Sequence, residues 1–360
     1  MSIRDAFFTA QAVTLNFLSM TTDEKFAFII VCSFEMNNQR QNGEVFAFVP
    51  SYNHAPFIEK CLKSIINQTL PPEKLLVIDD GSRDDSPRII ERVLKDCPFD
   101  AELIVRENRG LCATLNQGFS LSKGKYFAYI GSDDFWLPAF FEERARLLEQ
   151  RPEAILGFGH AYLIDETDEI FGNTADYDEE WANYPDGNPR MMLLNGVSPV
   201  SSTVFYRRSV LEKVRWNENS RLEDYEMYVR LAAFGDFAFD PQVLSVWRHH
   251  SYNTSKDLLL LYNEVIKAQN EHAAFLGVNA EELEEFQSRI KFRSMKVLLQ
   301  NGYKRDALRL ARESWRNATS AREIGKSMIQ LVLPKSVLES YQKRKREKQV
   351  AEYRRNRNGK

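Results

Sequence analysis

The alternation of short apolar runs with amphipathic segments between residues 45 and 130 is the feature that most constrains how this chain can fold. Each apolar run is too short to be a helix and ends in polar or turn-forming residues, which is typical of a buried strand. Strands that alternate with helices predict an α/β architecture, with a mostly parallel sheet sandwiched by helices. The predicted strands are 45–49, 75–78, 103–106 and 126–130, and the predicted helices are 55–68, a segment beginning near Pro87, and 111–122.

Polar residues follow each predicted strand at the edge where parallel sheets bind their ligands. One acidic pair alone is typical of a turn. Two acidic turns at one edge repel each other unless a cation or a hydrogen-bonding ligand lies between them. Paired carboxylates suit a hard divalent cation, which in turn grips a diphosphate. The four clusters are Ser51-Tyr52-Asn53-His54, Asp79-Asp80, Asn108-Arg109-Gly110 and Ser132-Asp133-Asp134.

Two further polar groups lie later in the chain. Glu223-Asp224 opens a helix predicted over 223–234. A carboxylate there is either a cap that suits the helix dipole or a general base that projects into a site. Arg248-His249-His250 follows a short apolar segment, and each histidine is open to interpretation as a surface residue, a metal ligand or a phosphate contact.

The composition is ordinary for a globular protein, with 43% apolar and 28% charged residues in a chain of 360. No apolar stretch is long enough to span a bilayer. The expected location is the cytoplasm. The four cysteines lack the paired spacing of zinc ligands or a disulfide framework, which indicates a reducing compartment. They are Cys32, Cys61, Cys97 and Cys112.

The chain divides into four predicted regions. Residues 1–44 form an N-terminal extension, which is either a separate helical segment or sequence that precedes a translation start at Met36. One domain is expected over 45–255, with later strands at 155–162 and 200–207. Residues 256–330 are predicted to be helical, and 331–360 form an amphipathic and basic tail.

The basic tail contrasts with a net charge of −3 for the whole chain, because residues 342–360 hold nine Lys/Arg and two Glu. The acidic remainder argues against a nucleic-acid partner. Lys/Arg runs are usually solvated. This one follows an apolar segment, and beside anionic lipid each basic residue contributes about 1 kcal/mol. We therefore expect the tail to attach the protein peripherally to the inner face of the cell membrane.

Several sequence blocks resemble those of the family 2 glycosyltransferases, which have the GT-A (Rossmann-like) fold. The order and spacing match over residues 45–255. The resemblance implies a nucleotide-binding half at 45–135 and an acceptor half at 136–255. The blocks are Phe48-Val49-Pro50-Ser51-Tyr52-Asn53, Val77-Ile78-Asp79-Asp80-Gly81-Ser82, Asn108-Arg109-Gly110, Gly124-Lys125-Tyr126 through Asp133-Asp134, Glu223-Asp224 and Arg248 to His250.

The resemblance implies roles for the matching nucleotide-binding residues. Tyr52 would lie against the base, and Asp80 would accept a hydrogen bond from a base N–H, which favours uracil or thymine. Asp133 would contact the ribose or the sugar. The full implied set is Pro50, Ser51, Tyr52, Asn53, Asp80, Arg109 and Asp133.

The resemblance also implies a metal site and a catalytic base. Asp134 would ligate Mn²⁺ or Mg²⁺, His250 matches a position that contacts the metal or diphosphate, and Asp224 would be the base. Glu223 and Arg248 would contact the acceptor or a phosphate. Many members have a further Asp where this chain has Gly131 or Ser132, which predicts a thinner metal cluster with lower affinity.

The implied activity is an inverting transfer from a UDP- or dTDP-sugar to a hydroxyl of a saccharide or lipid-linked glycan, as in surface polysaccharide or glycan biosynthesis. The chain lacks the Gln-x-x-Arg-Trp motif of processive synthases, which indicates one sugar per encounter. The acidic, aromatic stretch around Asp176, Tyr177, Trp181 and Tyr184 is either an acceptor flap or a surface loop.

Two other functions are weighed against this one. A sugar nucleotidyltransferase typically has a Gly-rich, basic phosphate loop where this chain has Ser51-Tyr52-Asn53-His54. A non-catalytic nucleotide-sugar-binding protein would be favoured by loss of the acidic residues, but Asp80, Asp134 and Asp224 are present.

Overall fold

The computed structural model describes residues 44–176, 185–250, 257–314 and 321–358. Strands in this part of the chain form one mixed sheet in the order β3-β2-β1-β4-β8-β6-β9-β5, with β7 paired to β6. The strands are β1 (Val45–Ser51), β2 (Lys74–Asp79), β3 (Asp100–Val105), β4 (Tyr126–Tyr129), β5 (Phe135–Trp136), β6 (Ala154–Asp165), β7 (Ile170–Asn173), β8 (Phe205–Arg207) and β9 (Asp236–His249).

Helices cover the sheet and continue beyond it towards the C-terminus. They are α1 (Ile58–Ile66), α2 (Ser86–Leu94), α3 (Leu111–Leu121), α4 (Phe140–Gln150), α5 (Arg190–Leu194), α6 (Arg208–Leu211), α7 (Glu223–Leu231), α8 (Leu258–Leu276), α9 (Ala280–Gln300), α10 (Lys304–Ser314), α11 (Ala321–Val332) and α12 (Lys335–Asn358). Short 3₁₀ turns lie at Thr174–Asp176 and Ser201–Thr203.

β1 lies between β2 and β4 and pairs with both in parallel. Its side chains alternate between two cores: Phe46 and Phe48 pack on one face of the sheet, while Val45, Ala47 and Val49 pack on the other. A strand buried on both faces reads as a continuous apolar run, which is why the sequence pattern located it. The predicted parallel sheet is thus present in β3, β2, β1 and β4.

The second half of the sheet is mixed. β8 pairs antiparallel with both β4 and β6, whereas β6 and β9 are parallel. The strand predicted over 200–207 is shorter, because Ser201–Thr203 forms a 3₁₀ turn. The backbone N–H and hydroxyl of Thr203 both donate to the Val200 carbonyl, at 2.8 and 2.7 Å. Such local bonding competes with pairing in a sheet.

Within the described residues, the helical region predicted at 256–330 is present as α8 to α11. Val265, Ala268 and Leu276 of α8 belong to the core of the sheet domain. α9 and α10 form a hairpin around a separate apolar cluster that includes Met295, Leu298 and Ala307. α12 packs against β7. Nearby, the ring of Tyr353 on α12 lies 6.4 Å from the ring of Tyr162 on the adjacent strand β6.

Among the described residues, the helices are all too short or too polar to cross a bilayer. The predicted extension before residue 44 lies outside the described residues. So do Tyr177, Trp181 and Tyr184 of the predicted flap. Asp176 is described, and its carboxylate accepts hydrogen bonds from the backbone and side chain of Asn173 at 3.2 and 2.7 Å.

Candidate active site

A cleft of about 710 Å³ opens at the carboxyl ends of β1, β2 and β4. Its walls combine carboxylates from three remote segments with apolar side chains, and α8 contributes Leu261 and Val265. A cavity of this size lies within the range typical of small-molecule sites. The acidic residues that line it are Asp80, Asp133, Asp134, Glu223 and Asp224.

Asp80 organises the loop that follows β3. Its carboxylate accepts hydrogen bonds from the backbone N–H groups of Arg109 and Gly110, at 2.9 and 2.8 Å, and forms an ion pair with Arg106. Three of the roughly four lone-pair positions of a carboxylate are therefore used. Asp80 lines the cleft while fixing the loop above it, so one acceptor position is left for a ligand.

Three nucleotide-binding candidates lie at the end of β1 or directly after it, at the same end of the cleft. Pro50, Ser51 and Tyr52 line it, and the Tyr52 side chain is exposed. Asn53 has φ +53° and turns its side chain towards the neighbouring loop, where its oxygen accepts from the N–H of Arg83 at 2.8 Å. Arg109 is exposed and contributes its backbone to Asp80.

His54, Asp133 and His250 come together at the centre of the cleft. Oδ2 of Asp133 lies 2.9 Å from Nε2 of His250, and Oδ1 lies 3.8 Å from Nδ1 of His54. One donor atom from each residue falls within 4.8 Å of the others. Two imidazoles and one carboxylate form a donor set that suits a divalent transition metal.

The environment lowers the pKa of Asp133. Burial alone would raise this pKa, but the hydrogen bond with His250 and the electrostatic interaction with His54 lower it. Burial lowers the pKa of His54 as well, although the charge of Asp133 works in the opposite direction. Both shifts favour the protonation states in which these groups ligate a metal, an ionised carboxylate and a neutral imidazole.

Asp134 lies deeper than Asp133. Its Oδ1 accepts from the backbone N–H of Arg248 at 2.8 Å. Burial, followed by the charge of Asp133, raises its pKa well above the usual range. Arg248 is also buried, and its guanidinium donates to the carbonyls of Asp133 and Asp165. These contacts favour a positioning role for Arg248 behind the cluster.

Glu223 and Asp224 form the opposite wall, at the first turn of α7. Oδ1 of Asp224 accepts from the backbone N–H of Tyr225 at 2.6 Å. The Tyr225 hydroxyl donates to the Leu193 carbonyl at 2.5 Å, and Gln269 on α8 donates to that hydroxyl at 2.9 Å. Buried hydrogen bonds therefore hold the start of α7 against α5 and α8.

Burial raises the pKa of both wall carboxyls. The pKa of Glu223 rises to about 8, with the negative charge of Asp224 as the second cause. The pKa of Asp224 rises to about 6, and hydrogen bonds from backbone N–H groups limit that rise. The two carboxyls titrate as a pair, and Glu223 is the more readily protonated of the two.

Two residues of this arrangement were absent from the predicted set. His54 lies in the polar cluster after β1, so its position at a strand end was the available signal. Arg106 is the residue after β3, and the sequence has no feature that pairs it with Asp80. Its Nη2 also donates to the Thr114 hydroxyl at 2.7 Å, which ties the loop to α3.

Parallel strands that end in a nucleotide-sized cleft, joined to a mixed half-sheet through an acidic cluster, define the GT-A class of fold. Residues 46–215 match the model of glycosyl transferase family 2. This match indicates a family 2 glycosyltransferase domain over those residues. It is 28% identical to the chondroitin synthase of Escherichia coli over 64% of this chain and 33% of that protein. The chain spans about half the length of two further curated relatives that it matches.

Two solved structures share the fold. S. aureus TarS 1–349 in complex with UDP-GlcNAc has a TM-score of 0.55, with 14% identity over 80% of this chain and 79% of that one. The mannosyltransferase PcManGT of Pyrobaculum calidifontis, in complex with GDP-Man and Mn²⁺, has a TM-score of 0.52 and 16% identity to this chain. The match covers 80% of this chain and 84% of that one.

Proposed function

We propose that this chain transfers a sugar, with inversion, from a nucleotide diphosphate donor to an acceptor hydroxyl. The observation that carries the proposal is the meeting of Asp80, Asp133 and Asp224 in one cleft. These carboxylates come from three remote segments and serve three tasks: holding the nucleotide loop, binding a cation and accepting a proton. A binding protein without catalysis has no need of the third.

The donor is a UDP- or dTDP-sugar. Tyr52 offers an exposed ring against which a base can stack, and the remaining acceptor position of Asp80 suits the N3–H of uracil or thymine. The S. aureus TarS complex with UDP-GlcNAc supports this choice. Because the Pyrobaculum neighbour holds GDP-Man, a guanine donor is the alternative that the experiment must test.

Asp224 is the general base. It takes the proton of the acceptor hydroxyl while that oxygen attacks the anomeric carbon, and the bond from this carbon to the diphosphate oxygen breaks on the opposite face. A base works best when its pKa lies near the working pH, and Asp224 meets this condition. Glu223 lies beside it at the same wall, and its raised pKa favours the protonated form.

His54, Asp133 and His250 would hold the cation, with Asp134 beside them. When bound, a divalent cation acts as a Lewis acid that offsets the charge on the departing diphosphate. Mn²⁺ in the Pyrobaculum neighbour supports a metal-assisted reaction.

The acceptor is a saccharide or lipid-linked glycan, and the name of the E. coli relative, chondroitin synthase, supports polysaccharide biosynthesis. We place the protein in the cytoplasm, at the inner face of the membrane. Exposed apolar side chains on α11 and α12 lie next to exposed basic ones, as expected for a surface that binds an anionic bilayer. These residues are Met328, Ile329, Val332, Val337, Tyr341, Lys343, Arg344 and Lys345.

A donor screen tests the function. UDP-, dTDP- and GDP-sugars are incubated with the protein, with and without Mn²⁺, and release of the nucleoside diphosphate is measured. Metal-dependent hydrolysis of a uridine or thymidine donor, which is lost in Asp224→Asn, is the expected result. Formation of a nucleotide sugar from a sugar phosphate and a nucleoside triphosphate would instead identify a nucleotidyltransferase.

A further inference from the structure

We propose that α8 positions the general base of the cleft, and that Gln269 and His272 are positioning residues for Asp224. The inference rests on the proposed function for the role of Asp224. It assigns a task in the reaction to the helical region that follows the sheet domain, because α8 lies beyond residues 46–215, which match the model of the family. Neither positioning side chain lines the cleft, so both act through the first turn of α7.

The start of α7 depends on contacts from other elements. Leu222 occupies the N-cap position, where its apolar side chain cannot accept a hydrogen bond from the first turn. The first backbone N–H groups of a helix have no partner within it, so a helix without a polar cap is held by its surroundings. α8 supplies one such contact, because Oε2 of Glu264 accepts from the backbone N–H of Arg221 at 2.9 Å.

The first turn of α7 faces two ways. Glu223 and Asp224 line the cleft, whereas the Tyr225 hydroxyl and the Glu226 carboxylate are hydrogen-bonded to α8. Because these four residues are consecutive and share one helical turn, a displacement of the second pair displaces Asp224 as well. Misplacing a reacting group by about 1 Å can cost about 10²-fold in rate.

Gln269 holds the first of the two side chains that face α8. It is fully buried, and its Nε2 lies 2.9 Å from the Tyr225 hydroxyl, 3.0 Å from the Leu193 carbonyl and 3.1 Å from the Leu194 carbonyl. One amide therefore joins α8 to both α5 and α7. Burying a polar group is costly unless it is hydrogen-bonded, so the amide favours one arrangement of the three helices.

His272 holds the second side chain. Its Nε2 lies 2.9 Å from Oε1 of Glu226, a buried carboxylate that Arg230 also contacts, at 2.8 and 2.6 Å. α8 bends at His272, where φ −125° and ψ 22° depart from helical values. Residues 267–276 contain no proline or glycine, the usual causes of a bend, so we attribute it to packing. The bend lies at the residue that contacts α7.

The residues that line the cleft and those that hold α7 share one face of α8. Leu261, Val265, Gln269 and His272 follow one another at intervals of four, four and three residues, which is the spacing of a single helical face. The first two line the cleft, and the last two bind the first turn of α7. One helix therefore sets both a wall of the cleft and the position of the base.

Variants that separate α8 from α7 test the inference in the whole chain. Gln269→Leu and His272→Leu remove the hydrogen bonds of each side chain, whereas His272→Gln retains a donor for Glu226. Asn270→Ala is the matched control, because Asn270 lies on α8 but accepts from Gln287 of α9, at 2.7 Å. The Tm of each variant and the Kd of the donor show which variants are folded and bind the donor.

We expect kcat for donor hydrolysis to fall at least about tenfold in Gln269→Leu and in His272→Leu, with the Kd of the donor little changed. His272→Gln should recover most of the loss, and Asn270→Ala should show none. In the Asp224→Asn background, His272→Leu should cause no further loss, because the base through which His272 acts has been removed. Unchanged kcat in the two folded leucine variants, or losses that multiply in the double variant, would overturn the proposal.

Titration of the carboxyl groups by ¹³C NMR tests the same inference without turnover. Burial raises the pKa of both Glu223 and Asp224. If α8 holds this pair in place, Gln269→Leu should lower both pKa values towards their ordinary range, and Asn270→Ala should leave them unchanged. Unchanged pKa values in a folded Gln269→Leu protein would overturn the proposal. If the unaltered protein hydrolyses no donor, the proposed function is wrong, and this titration alone decides whether α8 positions the pair.

Discussion

Oδ2 of Asp133 lies 2.9 Å from Nε2 of His250, although 117 positions separate the two residues in the chain. The contact joins the end of the parallel half of the sheet to the end of β9 in the mixed half. Because β1 delivers His54 to the same point, both halves must be folded and docked before the cluster exists. A cation held by this cluster would therefore link the two halves of the sheet.

Replacing the proposed base should remove turnover but spare donor binding. Asp224→Asn keeps the shape and the hydrogen bond from Tyr225 but cannot accept a proton, so kcat should fall about 10²- to 10⁴-fold. In the unaltered protein, kcat should rise with pH through about 6, where Asp224 loses its proton. The dissociation constant of the donor, measured by calorimetry, should change little. Turnover within a few-fold of the unaltered protein would exclude Asp224 as the base.

Glu223 should make stability fall as the pH rises. Its pKa is about 8 in the folded protein against an ordinary value of 4.5, so between these values the folded protein holds a proton that the unfolded chain releases. The contribution of Glu223 to stability is then fully present below pH 4.5 and is lost as the pH rises through about 8. Glu223→Gln resembles the protonated form, so its gain in Tm should be larger near pH 8 than near pH 5.

Thermal unfolding in EDTA measures this difference without a contribution from bound cations. Glu284→Gln, at an exposed site on α9, is the control and should show no pH-dependent gain. If Glu223→Gln and the unaltered protein lose Tm in parallel as the pH rises, Glu223 is ionised in the folded state at neutral pH. The proposed division of roles between the two carboxyls would then be wrong.

The nucleotide half was predictable from sequence because its strands are buried on both faces. β1, β2 and β4 read as unbroken apolar runs, and their polar ends identified Asp80 and Asp133 as site residues. β8 was harder to predict, since three residues between a 3₁₀ turn and a helix leave little pattern. The contribution of α8 to the cleft wall was also hidden, because Leu261 and Val265 look like any helical core residues.

The chemistry of individual site residues was less predictable than their location. Sequence reasoning named Asp134 as the metal ligand, yet Asp133 lies with the two histidines and Asp134 accepts from the Arg248 backbone. Neighbouring residues at a strand end point in different directions, and only coordinates reveal which one faces the cluster. The metal role of Asp134 stays a prediction.

Arg106 should matter for both stability and nucleotide binding. Its guanidinium pairs with Asp80 in a largely buried setting, and breaking such a pair by removing one partner costs about 3–5 kcal/mol. Arg106→Gln should lower the free energy of unfolding and weaken UDP binding, because the Asp80 carboxylate would no longer be held under the loop. Arg83→Gln, an exposed site, should do neither. Unchanged UDP affinity would show that the loop is fixed by the Arg109 and Gly110 backbone alone.

The surface on α11 and α12 should bind anionic vesicles. Removing the tail is a poor test, because α12 packs against β7 and its loss would disturb the domain. Ile329→Asp with Val332→Asp changes exposed residues only, and should abolish sedimentation with phosphatidylserine vesicles. Leu308→Asp, at an exposed apolar site on α10, is the control. If the unaltered protein, the double variant and Leu308→Asp sediment equally with anionic vesicles, the membrane assignment is wrong. It is also wrong if the unaltered protein binds neutral vesicles as well as it binds anionic ones.

Substitutions of Gly131 distinguish two interpretations of the cation site. In one, His54, Asp133 and His250 hold the cation; in the other, the site is an acidic cluster that lacks one carboxylate. The two interpretations make opposite predictions. If the cluster is short of a carboxylate, Gly131→Asp should strengthen Mn²⁺ binding. In this structure any side chain at residue 131 meets Oδ1 of Asp133 and turns that carboxylate away from His54 and His250. Gly131→Ala and Gly131→Asp should both weaken Mn²⁺ binding by about tenfold or more, as measured by calorimetry. Gly172→Ala is a matched control, since its Cβ would make only an ordinary 3.7 Å contact with Leu163. Tighter Mn²⁺ binding by Gly131→Asp would return the site to an all-carboxylate design.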